Sequence, residues 1–462
     1  MDRPCVPDDS GVSNAVSLPR PVESAAGVLV ILAAFAGVHR FRLSQREHRR
    51  QLAVDQISQH LAVALLQRQL DADQAARDDA IARQITDLSA KASEQLGSDK
   101  AAVRIGGLTD LERLAQAYAD LRQTVVDRIC AYLRGPYEPP TGRFRRTLGQ
   151  AQSDEQDSSN IAGAAGRGDG PSDEQVAARR LELDVRRTAQ QILKRHLTWP
   201  ADQEERPAGF WDGISLDLRD AVLIELDLAE CRAVRVDLRN ADFRGDARFD
   251  DATFSEHAVF DDATFGGDAV FDHAAFGGDA VFGHAAFGGD AVFDDTTFNG
   301  NVVFGGATFG GDAGFGGATF NGYAVFSGAA FGGDAVFGDA AFNGNAWFRE
   351  ATFSGDAWFG GAAFSGDAGF REATFSGDAW FGGAAFGGDA GFREATFIAA
   401  TDFAGSRVSH IGANHVWARG WRVEPDPDAP GASGRLVRVF RLDSVPSPMG
   451  RAREDLNLRP SD

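Results

Sequence analysis

The sequence predicts an α+β multidomain chain whose helical first part leads into a repeat-built solenoid, and three observations carry that prediction. Beyond position 216 the apolar residues recur every five or six residues, a spacing that no amphipathic helix presents, because its period is about 3.6. Residues 349–370, REATFSGDAWFGGAAFSGDAGF, are followed at once by REATFSGDAWFGGAAFGGDAGF at 371–392, a copy that differs only where Ser365 becomes Gly387. Near-identical copies at a fixed period mark a stacked array. Composition agrees: 35 Phe and 54 Gly stand beside only four Tyr and two Met in 462 residues, far from ordinary globular usage.

From the N-terminus, a polar tail over 1–21 is expected to be disordered. It leads to AAGVLVILAAFAGV at 25–38, an unbroken apolar run of 14 residues, followed by Arg40, Arg42, Arg46, Arg49 and Arg50. A membrane span needs about 20 residues, with a lower limit near 17, and extending the run back to Val22 takes in Glu23. The expectation is a single transmembrane helix over 22–40 in the cell membrane, with the arginines holding the C-terminal bulk in the cytoplasm. A signal peptide and a buried helix are the alternatives, and a cytoplasmic protein is the alternative location. The signal peptide is disfavoured because the positive charge follows the apolar run instead of preceding it.

Residues 43–137 read as a helical stalk and a small helical domain. The stretch 43–96 lacks Pro and sets Ile81, Ile85, Leu88, Ala92 and Leu96 at three- and four-residue spacing, a narrow apolar seam on a long helix. That seam serves either a coiled-coil homodimer or packing on the helices that follow. Next come Val103, Leu108, Leu111 and Leu114 on one helix face, with a capping box suggested at Thr109 to Glu112, and then Val126, Ile129, Cys130 and Leu133 on another. Cys5, Cys130 and Cys231 are far apart and form no metal or disulfide spacing. Residues 138–171 have the composition of a disordered linker. A second capping box, SDEQ at 172–175, opens a helix with Leu181, Val185, Ile192 and Leu193 as its buried face, the N-terminal cap of the solenoid over 172–215.

The solenoid is expected over 216–405. A five-residue beat runs through Leu218, Leu223, Leu228, Ala233, Leu238 and Phe243, and from Phe249 to Phe403 the beat becomes strictly five, six, five, six, with 29 Phe. These units, of the form A-T-F-S-G-D-A-W-F, resemble the Phe-rich variant of the pentapeptide-repeat family. The segments 95–115, 122–137 and TAQQIL at 188–193 further resemble the helical region of large actinobacterial-type members that carry an N-terminal membrane segment. The resemblance implies a right-handed quadrilateral β-helix in which the central residue and the small residue two before it point inward. Arg349-Glu350, Arg371-Glu372 and Arg393-Glu394 recur every 22 residues, so the coil is read as 22 residues, against the family's usual 20. Every second side must then absorb one residue, placed at the S/G-G-D turn. About eight coils result. Phe265, Phe271, Phe276, Phe282, Phe353, Phe359, Phe364 and Phe370 are read as parts of stacked core columns, and residues 406–442 as a C-terminal cap ahead of a disordered tail at 443–462.

The net charge of −21 resides in 216–405, which contains 30 acidic residues and 9 Arg; outside it the signs balance. Such a surface repels nucleic acid and anionic lipid, and favours a protein partner with a basic or mixed apolar face. Asp recurs at one place in the 11-residue unit, including Asp356 and Asp378, and is read as a turn residue and not as a calcium ligand. The residue before each six-step Phe should face outward; it is usually Val but becomes Trp347, Trp358 and Trp380. Trp358 and Trp380 should stack on one side with Trp347 opposite, forming a candidate partner-binding patch with Asp356 and Asp378. Cover of a sheet surface by aromatics is the competing account. No catalytic motif, cofactor or metal site is indicated. The function expected is a non-catalytic, membrane-tethered interaction scaffold. The alternative is a nucleic-acid mimic, since the resemblance includes proteins that present an acidic rod to DNA gyrase.

Overall fold

A computed structural model describes residues 25–140, 172–427 and 433–439. The expected tail at 1–21, most of the linker at 138–171 and the tail at 443–462 lie outside the described residues. The chain divides after Gln84 into two units, each described by itself.

Helix α1, Ala25–Leu96, runs through both. The transmembrane helix expected at 22–40 begins outside the described residues. Among the described residues no helix is long and apolar enough to cross a membrane. The physical reason lies in the sequence: the apolar run is shorter than a bilayer requires and passes directly into the arginine-rich stretch of the same helix.

In the second unit the last turns of α1 pack on α2, Ala101–Ala117, and α3, Arg122–Leu133. Ala92 is buried, with Ile85 and Leu96 packed at its sides, so this end of the seam covers its own chain. Helix α4, Asp173–Leu197, opens on a capping box in which Ser172 and Gln175 exchange side-chain to backbone hydrogen bonds. Two sequence readings are corrected. Thr109 and Glu112 lie inside α2, where the Thr109 hydroxyl donates to the Ile105 carbonyl, so they form no cap. Leu181 is exposed, and Leu183 joins Val185, Ile192 and Leu193 in the core instead.

The repeat region is a β-solenoid whose coils contribute one short strand to each of four sheets. In chain order the first coil lays down Leu216–Asp217 and Val222–Ile224, meets the third sheet where Asp227 bridges Arg248, and then adds Arg232–Ala233 before Val236–Asp237 returns to the first sheet. The first and second sheets each hold nine strands and the third eight. The fourth reaches 11 by adding an antiparallel hairpin, Trp421–Pro425 with Gly434–Arg438. This makes about nine coils where the sequence suggested eight. Register shows how the period changes. Leu216 pairs with Val236 and Val222 with Asp242, 20 residues apart, and Arg232 pairs with Thr253, 21 apart, whereas Val236 pairs with Ala258 and every later parallel strand pair stands 22 apart.

The two extra residues per coil sit at alternate corners. Five-residue steps turn tightly, as at Asp272-His273, where the Ala274 N–H donates to the Phe271 carbonyl and His273 has φ +55°. Six-residue steps bend at pairs such as Gly277-Gly278. There the second glycine is forced by the coil beneath: a methyl at Gly344 would lie 2.2 Å from the Gly322 carbonyl oxygen, and one at Gly300 2.4 Å from the Gly278 backbone.

Inside, phenylalanines form four columns. Phe337, Phe359 and Phe381 stack with centroids 4.8 Å apart and planes within 2°, and Phe359 meets Phe348 and Phe370 of a facing column edge-on at 5.3 and 5.4 Å. Alanines two residues before the rings are buried and leave the space that the rings fill. Where Thr296 takes such a place, its hydroxyl donates to the Phe271 carbonyl, so no polar group is stranded.

The N-terminal end of the solenoid is closed by side-chain amides that imitate a missing strand. Gln190 donates to the Ile224 carbonyl and accepts from its N–H, and Gln123 does the same for Ser215. Arg186, buried, reaches the Leu133 carbonyl and forms an ion pair with Glu182. Unpaired strand edges invite foreign strands, and these contacts remove that opportunity. At the other end Trp417 and Trp421 cover Phe403.

Phe359→Ala should cost about 3–5 kcal/mol in denaturant unfolding, because the ring packs among six others and cannot be replaced by relaxation. Gly344→Ala should lower the unfolding midpoint well below that of Gly360→Ala, since the nearest atom to a methyl at Gly360 is a comfortable 3.6 Å away. Equal midpoints for the two glycine variants would contradict the close approach described.

Candidate interaction surface

Each strand exposes alternate side chains, so one outward residue per coil repeats up each sheet. On the third sheet the outward row in sequence order is Val270, Val292, Gly314, Val336, Trp358, Trp380 and Asp402, as the register fixes. Trp358 and Trp380 lie one above the other, with ring centroids 3.6 Å apart and planes at 40°. Trp347 belongs to the first sheet, paired with Val325, on the opposite side of the coil. The sequence placed all three indoles on these sides, but their exposure differs from what was expected. Trp358 and Trp380 are half-buried, each ring covering its neighbour, and the Trp358 indole N–H is buried without a hydrogen-bond partner. Trp347, 36% exposed, lies over Gly369, where a methyl would come within 2.5 Å of its ring.

Asp356 and Asp378 stand two residues before these indoles and are half-buried. Their role is more specific than turn formation. The Asp356 carboxylate accepts from the Asp378 N–H at 2.9 Å, and Asp378 accepts from the Ala400 N–H at 2.9 Å. The same bond links Asp246, Asp268, Asp290, Asp312 and Asp334, each to the backbone N–H 22 residues on. A second column at the opposite six-residue corner runs through His257, Asp279, Asn301, Tyr323, Asn345, Asp367 and Asp389. Each of these except Tyr323 accepts from the next coil's N–H. Tyr323 has no acceptor at that reach and interrupts the ladder. The residue choice that looked loose, Asp, Asn or His, is explained: all three present an acceptor two bonds beyond Cβ. Sequence reasoning missed this because the donor stands a full coil away.

The eight phenylalanines assigned to the core make up two successive sets around the axis: Phe265, Phe271, Phe276 and Phe282, then Phe353, Phe359, Phe364 and Phe370. All are at most 2% exposed, and none reaches the surface.

Among the described residues one group has the spacing of a metal site: Asp272, His273 and Asp295, whose ligand atoms lie within 4.8 Å of one another. His273 stands 3.0 Å from Asp272 and 3.7 Å from Asp295 of the next coil. Partial burial acts to lower the His273 pKa, but Asp272, Asp295 and Asp251 outweigh it and raise it above its ordinary 6.5. Desolvation likewise raises Asp272 and Asp294. The sequence signal, Asp-His at 272–273 and Asp-Asp at 294–295 one coil apart, is visible only once the 22-residue register is applied to these positions. Nucleophilic chemistry by the described cysteines is unsupported. Cys130 and Cys231 are buried, and burial pushes both thiols up to about 12.

A parallel solenoid with one short strand per side, small residues before inward rings and a single outward row on each face defines a repeat-built β-solenoid. The sequence model for "Pentapeptide repeats (9 copies)" matches residues 235–275, 271–319, 315–363 and 359–407. Residues 235–407 are thus pentapeptide repeats. Comparison with curated proteins and with solved structures gave no match.

His273 generates a pH prediction. A raised folded pKa means that its contribution to stability is fully present below about 6.5 and is lost as pH rises through the folded value. NMR titration should place His273 above 6.5 in the folded chain and closer to it in Asp295→Asn. His273→Asn should flatten the pH dependence of unfolding above 6.5 by less than about 1 kcal/mol, because the group is exposed and screened. An unchanged titration in Asp295→Asn would exclude the inter-coil contact.

Proposed function

We propose that the protein is a non-catalytic interaction scaffold and that the third-sheet face around Trp358 and Trp380 receives a protein partner with a basic or mixed apolar surface. The observation that carries this reading is the indole pair itself, set among carboxylates. A partly exposed pair of overlying indoles presents a rigid apolar area, the kind of anchor that dominates interface energetics. Asp356 and Asp378 each commit one oxygen to the adjoining coil and have a second for a cation on the partner. Pentapeptide-repeat proteins are in general structural or interaction proteins, which agrees with a scaffold. Membrane attachment forms no part of the proposal, given the absence of a sufficiently apolar helix among the described residues.

The alternative, a DNA-mimicking binder of a topoisomerase such as DNA gyrase, draws on the concentration of the −21 net charge in the repeat region. Affinity capture with the full chain and with Trp358→Ser/Trp380→Ser separates the two. On the scaffold reading a discrete partner is captured by the native chain and recovered at least about tenfold less by the double variant, with the circular dichroism of the solenoid unchanged. Capture of topoisomerase subunits equally by both chains, and its loss in high salt, would favour mimicry instead.

A further inference from the structure

The fourth sheet ends on the strand Trp421–Pro425, and among the described residues no strand lies beyond it. In this closing hairpin the Asp426 N–H donates to the Ser433 carbonyl and the Val439 N–H to the Gly420 carbonyl. Backbone groups alternate in direction along an antiparallel pair. Those of Arg422 and Glu424 therefore turn toward Gly434–Arg438, and those of Trp421, Val423 and Pro425 turn outward. On the outer side the Trp421 N–H is taken by the Ala418 carbonyl at 3.2 Å, and Pro425 has no N–H. Val423 is left with both its N–H and its carbonyl facing outward. We propose that this edge pairs with the same edge of a second copy of the chain, antiparallel, with Val423 meeting Val423 on a two-fold axis.

Three features select this occupant and register. The first is the backbone. Two-fold pairing at Val423 lets each copy donate its Val423 N–H to the other's Val423 carbonyl, the isologous exchange that an antiparallel pair allows. A slip that set Val423 against Trp421 or Pro425 would leave the Val423 carbonyl without a donor, so these two residues end the ladder on either side.

The second is charge. Pairing at Val423 sets Arg422 of each copy opposite Glu424 of the other, and opposite charges facing each other across two strands are favourable. Arg422 already forms an ion pair with its own Glu424, so four charges would alternate across the junction. Parallel pairing in register would set Arg422 against Arg422. The cap also lacks the acidic excess of the rest of the solenoid: residues 406–442 hold six Arg and three acidic residues, 6 − 3 = +3, against −21 over 216–405. Two acidic rods meet with least repulsion at these ends.

The third is exposed apolar surface. Among the described residues of 216–439 five large apolar side chains are exposed, and three of them stand at this rim. Ile398, 69% exposed, follows the last strand of the second sheet, Val416 bridges Gly391 of the last strand of the first, and Val439 follows Gly434–Arg438. Apolar groups gathered on one end mark an association surface. The pairing would join two 11-stranded sheets into one of 22. It uses neither Trp358 nor Trp380, so this inference and the partner-binding reading fail independently.

Sedimentation equilibrium of the full chain tests it. The native chain should be a dimer. Val423→Pro should be a monomer with an unchanged unfolding midpoint, because the N–H it removes makes no bond within the hairpin and proline is tolerated on such an edge. Val423→Ala, which keeps the N–H, should remain a dimer. Arg422→Glu should raise the dissociation constant about tenfold, and Arg422→Glu/Glu424→Arg should restore it, since the exchanged pair is again self-complementary. A monomeric native chain, or a dimer that survives both Val423→Pro and Arg422→Glu, would overturn the proposal. Failure of the charge exchange to restore association would overturn the register centred on Val423.

Discussion

At the six-residue corners successive coils approach until backbone touches backbone, with room for no carbon beyond Cα at positions such as Gly300 and Gly344. The remaining regularities of the repeat region depend on that approach. It brings the corner N–H groups within reach of the carboxylate, amide or imidazole 22 residues earlier, and it fixes the ring spacing near 4.8 Å along the columns, close enough for face-to-face contact. A larger residue at the second glycine would separate the coils, and both the ladder and the stacking would weaken together. The glycines and the aspartates are therefore two halves of one device: the first allows the contact, and the second satisfies the donors it desolvates.

The ends of the solenoid meet the same constraint differently. Interior coils satisfy one another, but the first coil has nothing beneath it, and there the chain uses side chains in place of backbone. Gln123 and Gln190 each supply a donor and an acceptor from one amide, as a peptide group would. The helical region is thus a structural necessity for the sheet edges it covers. At the far end a change from parallel to antiparallel pairing terminates the fourth sheet, and indoles close the aromatic columns.

What could be read in the sequence was whatever depends on local spacing. The 22-residue coil, the inward rings and the placement of Trp347 opposite Trp358 and Trp380 follow from counting, because side-chain direction alternates along each strand. What could not be read depends on neighbours distant in sequence. Whether an Asp serves a turn or the adjoining coil is invisible until the donor's position is known, and the half-burial of Trp358 and Trp380 arises only because each shields the other. Thr109 and Glu112 match a cap pattern yet fall mid-helix, since the motif is defined by four residues while the helix boundary was set earlier, after Lys100. The apolar run at 25–38 is shorter than a bilayer requires, and the expectation of a membrane span rests on extending it back to Val22, outside the described residues.

The near-identity of 349–370 and 371–392 acquires a different significance once the coil is known to hold 22 residues. A duplicated segment of that length inserts one complete turn, so every residue downstream keeps its side, its column and its partner above and below. An 11-residue segment would keep the rings inward but turn the remainder of the solenoid by half a coil, and a length out of step with the five-six beat would expose the rings. Growth by whole turns also copies surface features in place: a single outward Trp becomes a vertical pair without any further substitution. The indole stack can thus originate as a by-product of lengthening, available for selection only after it had formed.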